Sequence, residues 1–194
     1  MVFNNAGVAT SQGIADGAIE DDEWVWSINH EGVVNGTRAY LPILLHQDSG
    51  VIVNTSSVFG LLGMPHQSAY CASKFAVRGF TESLRHELRR TGLHAATVHP
   101  GGVKTNIVRN ARYDSDHLGL FETKEEAVAQ FDQLAVTTPE RAAEIIHERV
   151  KAGTSRILVG PDAYMFEVLA RLAPSRYYDV FALIEPLARR AASR

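Results

Sequence analysis

Short β-branched runs alternate with longer amphipathic stretches along this chain. Three of the short runs border on Gly or Pro, and apolar runs bounded in this way are typical of buried strands. The predicted strands are residues 51–56, 94–99 and 156–159, with residues 1–3 as the end of a fourth.

The longer stretches carry apolar side chains at helical spacing. Residues 21–46 have acidic side chains in their first turn, and residues 68–91 end before Gly92, which we expect to be a C-cap. A third helix is predicted to begin after Thr138, an N-cap residue followed by proline. Strands that alternate with helices of this length favour parallel pairing, so the sequence predicts an α/β fold with helices on both faces of the sheet.

No repeat, low-complexity tract or charge block divides the chain, so we expect a single domain over residues 1–194. Residues 101–138 contain only one short helical run, near residues 124–134, and long excursions after a strand are usually lids or binding loops. A mobile insertion without a role is the alternative. Residues 161–194 form an apolar tail at helical spacing, for which we expect core or subunit contact, with a membrane-surface helix as the alternative.

Composition narrows the classes of function. Hydrophobic residues make up 45% of the 194 residues, which is typical of a globular domain. The formal charge of −3 gives no support for nucleic-acid binding, and no apolar run is long enough to span a bilayer. Cys71 is the single cysteine, so no internal disulfide is possible, and we expect a cytoplasmic protein. The histidines lack the spacing of metal ligands, so we expect no metal site.

Tyr70 and Lys74 stand four residues apart on a predicted helix and therefore share one face. Ser57 follows the predicted strand 51–56 and so lies at the carboxyl edge of the sheet, where open α/β sheets bind their ligands. Asn29 is a polar residue among apolar neighbours on the preceding helix. These four side chains are the candidate catalytic residues.

A carbonyl reduction needs an acid that protonates the developing alkoxide. A free tyrosine has a pKa of about 10, and a cation about 4 Å away is worth roughly 4 kcal/mol, or about three pKa units. We therefore expect Lys74 to lower the pKa of Tyr70, and Ser57 to donate a hydrogen bond to the substrate oxygen. The alternatives are an amphipathic surface tyrosine, a solvated lysine and a turn-forming serine.

Taken in order, these residues and two further motifs resemble a short-chain dehydrogenase/reductase. The resemblance is specific over residues 1–105 and looser to about residue 160. It rests on Asn4-Asn5-Ala6-Gly7, Asn29, Ser57, Tyr70-Cys71-Ala72-Ser73-Lys74 and Pro100-Gly101-Gly102-Val103-Lys104-Thr105.

The resemblance implies a role for each catalytic candidate in an NAD(P)-dependent oxidoreductase that acts on an alcohol or carbonyl compound. Tyr70 would be the acid/base, and Ser57 would bind the substrate oxygen. Lys74 would lower the pKa of Tyr70 and hold the nicotinamide ribose. Asn29 would hold a water in a proton relay to Lys74.

The resemblance also implies NAD or NADP as the cofactor, bound at the carboxyl edge of a Rossmann-like sheet. The turn at residues 5–7 would line the adenosine-ribose side. The loop at residues 100–105 would hold the nicotinamide end, with the backbone of Val103 facing the carboxamide. The implied cofactor-binding residues are Asn5, Ala6, Gly7, Tyr70, Lys74, Pro100, Gly101, Val103 and Thr105.

One part of the family pattern has no counterpart in this sequence. The glycine-rich turn that binds the cofactor pyrophosphate follows the family's first strand, whereas Gly60, Gly63 and Gly101 here lie in later segments. The resemblance therefore implies the carboxyl-terminal part of the doubly wound sheet, without the N-terminal glycine-rich part. A catalytically incompetent fragment whose helices mediate association is the alternative function.

Two further expectations concern partners. In the family that the sequence resembles, the helices corresponding to residues 21–46 and 68–91 form a four-helix interface, so we expect a homodimer or homotetramer. Apolar side chains between Ser57 and Tyr70 favour an apolar small-molecule substrate, with plain core packing as the alternative. They are Phe59, Leu61, Leu62 and Met64.

Overall fold

A computed structural model of the chain describes residues 1–113 and 123–179. Its main sheet has four parallel strands in the order β1-β3-β4-β6. A second sheet consists of the short parallel pair β2-β5, which the sequence pattern did not predict. The strands are β1 (Val2–Asn4), β2 (Thr10–Ser11), β3 (Gly50–Thr55), β4 (Leu93–Pro100), β5 (Arg112–Tyr113) and β6 (Arg156–Val159).

Helices cover the main sheet on both sides, which confirms the α/β prediction. They are α1 (Ile19–Trp26), α2 (Gly32–Gln47), α3 (Ser68–Glu87), α4 (Lys124–Leu134), α5 (Pro139–Lys151) and α6 (Pro161–Leu172). Alternate strand residues point to opposite faces. Ile52 and Ala95 therefore pack against α2 and α3, whereas Val53 and Ala96 pack against α5.

A π-helical turn, Ser27–Glu31, joins α1 to α2 where the sequence predicted one continuous helix. Asn29 lies in this turn and is fully buried. Single π turns inside α-helices occur frequently at functional sites. The turn therefore marks the position of one candidate catalytic residue.

Gly92 does not cap the preceding helix, so that prediction is wrong. α3 ends at Glu87 and continues as a 3-10 turn, Leu88–Arg90. A side chain at Gly92 would place its Cβ 1.9 Å from the backbone oxygen of Asp48. Glycine is required here because the start of β4 passes close to the end of α2. Thr138, in contrast, caps α5 as predicted and accepts a hydrogen bond from the backbone N–H of Arg141 (3.2 Å).

The described parts of the predicted lid, residues 101–113 and 123–138, contact each other. α4 begins where the sequence predicted, and Lys124 Nζ donates to Ala111 O (2.8 Å). Residues 114–122 of the lid and residues 180–194 of the tail lie outside the described residues. Within residues 1–113 and 123–179, no helix is long and apolar enough to cross a membrane.

Candidate active site

The carboxyl ends of β1, β3 and β4 meet at one edge of the sheet. Asn4 pairs with Asn54 across β1 and β3, and Thr55 pairs with Val98 across β3 and β4. The segments that follow these strands are residues 5–7, 56–57 and 101–105. They hold most of the residues that the sequence predicted for the site.

Ser57 and Tyr70 are brought together at this edge. Tyr70 lies in the first turn of α3, is 8% exposed and shares a side-chain hydrogen bond with Ser57. Ser57 Oγ also accepts a hydrogen bond from the backbone N–H of Phe59 (3.1 Å), whose ring contacts Tyr70 edge-on. The neighbouring Ser56 instead donates to the backbone oxygen of Lys74 (2.7 Å). Ser57, and not Ser56, is therefore the serine that faces Tyr70.

Lys74 lies one helical turn beyond Tyr70, with its ammonium group in the interior. Its Nζ donates to Thr55 O (3.0 Å) and lies 5.6 Å from the centre of the Tyr70 ring. Burial lowers the pKa of Lys74 from its ordinary 10.5 to about 8. An amine with such a pKa exchanges its proton with solvent far more readily near neutral pH than a surface lysine does.

The expected lowering of the Tyr70 pKa by Lys74 is wrong for this structure. Burial raises the pKa of Tyr70 to about 12, and the hydrogen bond from Ser57 offsets only part of this effect. The physical reason is that both groups are desolvated, and burial disfavours the charged forms of both the phenol and the amine. Tyr70 therefore keeps its proton at neutral pH.

Asn29 connects the segment after β1 to α3. Its Oδ1 accepts from the backbone N–H of Val8 (2.8 Å), and its Nδ2 donates to Val8 O (2.9 Å) and to Ser73 Oγ (3.1 Å). Both amide protons are thus used, and one lone pair of Oδ1 is still available. A Cβ on Gly7 would lie 3.3 Å from this oxygen and 3.2 Å from Lys74 Nζ, so glycine keeps the space between them open.

The predicted cofactor-binding segments are more accessible than the catalytic side chains. Residues 5–7 and Thr105 are exposed, and residues 100–103 are half-buried. Asn5 Oδ1 accepts a hydrogen bond from Thr55 Oγ1 (2.9 Å), which joins the turns after β1 and β3. Gly101 N donates to Val159 O (2.9 Å), and the backbone of Val103 pairs with Thr137. Residues 5–7 and 100–105 are therefore held in place by hydrogen bonds and are accessible to solvent. We call these two segments the rims of the site, because they lie on either side of Ser57, Tyr70 and Lys74.

The sequence interpretation missed two polar contacts of the site, one buried and one half-buried. His99, at the end of β4, is fully buried and has its Nδ1 3.0 Å from Ser57 O. Burial lowers the pKa of His99 to about 4, so the ring is neutral and donates from Nδ1 to this carbonyl. Asp162 on α6 accepts from the backbone N–H of Gly102 (2.6 Å). His99 could have been identified from the sequence, because it is a polar residue at an inward-facing position of a predicted strand. No local sequence pattern indicates the contact of Asp162.

The described residues contain no group of three or more His, Cys, Asp or Glu side chains that could hold a metal ion. The hydrogen-bonding groups at this edge are instead a phenol, a hydroxyl, an amine and an amide. Such a set binds and protonates an organic oxygen and suits an organic cofactor.

Comparison with known proteins identifies the family. Residues 1–116 match the family model described as short chain dehydrogenase. The chain belongs to the short chain dehydrogenase family. The match begins at residue 1, so the absence of an N-terminal glycine-rich part is still a prediction.

Several relatives of this oxidoreductase family align over most of the chain. A putative oxidoreductase SadH of Mycobacterium tuberculosis is 42% identical over 185 residues, which cover 94% of this chain. The chain spans 65% of the length of that relative.

The fold also agrees with solved structures of the family. A short chain dehydrogenase/reductase from Burkholderia phymatum in complex with NAD is 30% identical, with a TM-score of 0.73 over 88% of this chain and 64% of that chain. The closed form of a serine dehydrogenase complexed with NADP+ is 26% identical, with a TM-score of 0.71 over 82% of this chain and 64% of that chain. Both likenesses agree with the parallel sheet and its helices described above.

Proposed function

We propose that this chain carries the catalytic residues of an NAD(P)-dependent oxidoreductase that interconverts an alcohol and a carbonyl compound. The observation that carries the proposal is the hydrogen bond between Ser57 and Tyr70 at the carboxyl edge of the sheet, with the Lys74 ammonium behind it. Family membership supports the reaction class.

Tyr70 acts as the acid when the carbonyl is reduced. Because burial raises its pKa to about 12, the phenol is protonated at neutral pH and donates to the oxygen as negative charge develops there. Ser57 turns its single proton from Tyr70 to the same oxygen, donates a second hydrogen bond there and orients it. Its Oγ is fixed for this task by the N–H of Phe59. In the reverse direction the phenol first passes its proton to the relay of Lys74 and Asn29, and the phenolate then takes the proton of the alcohol.

The nicotinamide cofactor, when bound, supplies the hydride or accepts it. The chain fits such a group because Gly7 leaves open the space beside Lys74 and Asn29, and because both rims of the site are accessible. Lys74 would hold the nicotinamide ribose together with Tyr70. The complexes of family members with NAD and with NADP support either cofactor here. The remaining residues that would hold it are Asn5, Ala6, Gly7, Pro100, Gly101, Val103 and Thr105.

Asn29 and Lys74 restore the proton of Tyr70 after each turnover. The free lone pair of Asn29 Oδ1 faces the same space as Lys74 Nζ, which suits a water held between them. The lowered pKa of Lys74 allows it to pass a proton at neutral pH. We therefore assign Asn29 the role of holding the water of a proton relay.

The substrate is an apolar small molecule. Phe59 is half-buried against the Tyr70 ring, and Met64 is half-buried with its backbone hydrogen-bonded to Cys71, whereas Leu61 and Leu62 are buried in the interior. Of the four apolar residues that the sequence indicated, Phe59 and Met64 therefore supply the wall that a substrate contacts. The predicted lid begins at the end of β4, and its last residues return to this edge, where Thr137 pairs with Gly102 and Lys104.

We propose that the pyrophosphate of the cofactor is bound by a glycine-rich turn that these 194 residues do not contain. In the family pattern such a turn follows a strand that pairs with β1, and among the described residues β1 pairs with β3 alone. Phe3 on this strand is 49% exposed. An apolar edge strand is open to pairing with other chains. Because the cofactor would lack its pyrophosphate contacts, the chain by itself is expected to bind NAD(P) weakly.

Self-association is proposed for the helices of residues 21–46 and 68–91. Tyr40, Ile43 and Leu45 on α2 are each more than two-fifths exposed, as is Phe75 on α3. Large apolar side chains exposed on two helices that pack on the same face of the sheet favour contact with a second copy. We propose a homodimer or homotetramer built through these helices.

The test is turnover by the purified chain with NADH and NADPH at millimolar concentration and a series of apolar ketones. Tyr70→Phe removes one oxygen and should lower kcat at least about a hundredfold, as expected for a positioned acid. Tyr164→Phe is the matched control, because Tyr164 is 48% exposed on α6 and should keep the full rate. Absence of turnover by the unaltered chain with every substrate would contradict the proposal and favour the non-catalytic alternative.

A further inference from the structure

The turn that follows β4 is held by a carboxylate from a distant part of the chain. Asp162 Oδ2 accepts a hydrogen bond from the backbone N–H of Gly102 (2.6 Å), across sixty residues of sequence. A Cβ on Gly101 would lie 2.1 Å from the same oxygen. Glycine at 101 is therefore required because the carboxylate occupies the space that any side chain would need.

The second oxygen of the carboxylate lies against a third glycine. Gly160 has a φ of +96°, and a Cβ there would lie 2.6 Å from Asp162 Oδ1. Oδ1 is buried and has no hydrogen-bond partner among the described residues. A buried carboxylate oxygen without a partner is unfavourable for folding, so the placement of Asp162 calls for a reason other than stability.

The backbone of the turn is fixed on its other sides as well. Gly101 N donates to Val159 O (2.9 Å), Thr137 N donates to Gly102 O (3.3 Å), and Lys104 N donates to Thr137 O (2.9 Å). The N–H of Gly102 is the donor that points away from these backbone partners and toward α6. Asp162 therefore completes the set of contacts that defines the path of residues 100–104.

We propose that Asp162 is a positioning residue of the cofactor site, whose carboxylate holds the turn at residues 100–103 in the shape that binds the nicotinamide end of the cofactor. This inference rests on the proposed function, which assigns Pro100, Gly101 and Val103 to that end. A hydrogen bond to a carboxylate is about twice as strong as one between neutral groups. The first turn of α6 also stabilises the negative charge.

The experiment compares Asp162→Ala and Asp162→Asn with a matched pair of control variants, Glu140→Ala and Glu140→Gln. Glu140 follows the N1 proline of α5 as Asp162 follows that of α6, but its side chain is exposed and is hydrogen-bonded to Thr138 instead of to a residue of the turn. The controls therefore reproduce the loss of a first-turn carboxylate without touching residues 100–104.

Two quantities are measured for every variant: hydrogen exchange of the amides of residues 101–104, and the affinity for NADH and NADPH by equilibrium dialysis. Where turnover is found, kcat and the KM for the cofactor are measured as well. Asp162→Ala should raise the exchange rate of the Gly102 amide about tenfold and lower the affinity for the cofactor about tenfold. The value of kcat should change far less. Asp162→Asn keeps an accepting oxygen and should give intermediate values. The Glu140 variants should match the unaltered chain.

Faster exchange with unchanged cofactor affinity in the Asp162 variants would overturn the proposal, because the contact would then be structural only. Unchanged exchange would also overturn it. If the unaltered chain turns over no substrate but the Asp162 variants still weaken cofactor binding, the proposed reaction fails while the positioning role stands. If Asp162→Ala does not fold, the decision rests on the two measurements with Asp162→Asn.

Discussion

Replacing Lys74 by methionine should make the protein more stable while abolishing its activity. Lys74 is 2% exposed, and burial lowers its pKa from 10.5 to about 8. The difference between 10.5 and about 8 corresponds to about 3 kcal/mol of unfavourable charging at neutral pH. Methionine fills a similar volume without the charge, and the lost hydrogen bond to Thr55 O costs about 1 kcal/mol. The net expectation is a gain of about 2 kcal/mol at pH 7.

The sign of the pH dependence follows from the same numbers. Between pH 8 and 10.5 the unfolded chain holds the Lys74 proton and the folded chain does not, so unfolding binds protons and stability rises with pH. The charging penalty is present below pH 8 and declines as the pH approaches 10.5. From pH 7 to pH 9.5 the unaltered protein should gain about 2 kcal/mol relative to Lys74→Met.

Urea unfolding of both proteins at pH 7 and pH 9.5 measures these free energies. Using the difference between the two proteins cancels the other titrating groups, including Tyr70. A Lys74→Met protein that is less stable at pH 7 would refute the reasoning, as would a difference between the two proteins that is the same at both pH values.

Three further predictions concern Asn29, the cofactor and assembly. Asn29→Ala removes three hydrogen bonds of a fully buried side chain and leaves both backbone groups of Val8 without this partner. Urea unfolding should therefore show a loss of about 2–4 kcal/mol, and a loss below about 1 kcal/mol would contradict the network. If the glycine-rich turn is absent, as proposed, and its pyrophosphate contacts are worth about 4 kcal/mol, NAD(P)H should bind about a thousandfold more weakly than to a family member with that turn. Fluorescence from Trp24 and Trp26 showing micromolar affinity would count against this. Light scattering should give the mass of a dimer or tetramer, and a monomer at micromolar concentration would argue against the proposed interface.

The parts of the fold and site that depend on local pattern could be predicted from the sequence. The strand Arg156–Val159 and the helix Lys124–Leu134 have the predicted bounds. The spacing of Tyr70 and Lys74 on one helix, and of Ser57 at a strand end, placed these three side chains together. Such features depend on periodicity and on the position of a residue relative to the end of its element.

The features that could not be predicted depend on distant contacts or on burial. The strands β2 and β5 have two residues each, which is too short for any periodicity, and they pair across about a hundred residues of chain. Helical spacing showed that Lys74 is near Tyr70 but not that both are buried, so the direction of the Tyr70 pKa was missed. Gly92 and Asp162 take their roles from the close approach of another segment, which leaves no trace in the neighbouring sequence.

The most direct test of the central claim is transfer of deuterium to an apolar ketone from NADH or NADPH that carries deuterium at both positions of nicotinamide C4, with the product alcohol analysed by mass spectrometry. The account predicts that the unaltered chain places the deuterium on the carbinol carbon, and that Tyr70→Phe does so at least about a hundredfold more slowly. An unlabelled product, or equal rates of transfer by the two proteins, would contradict it.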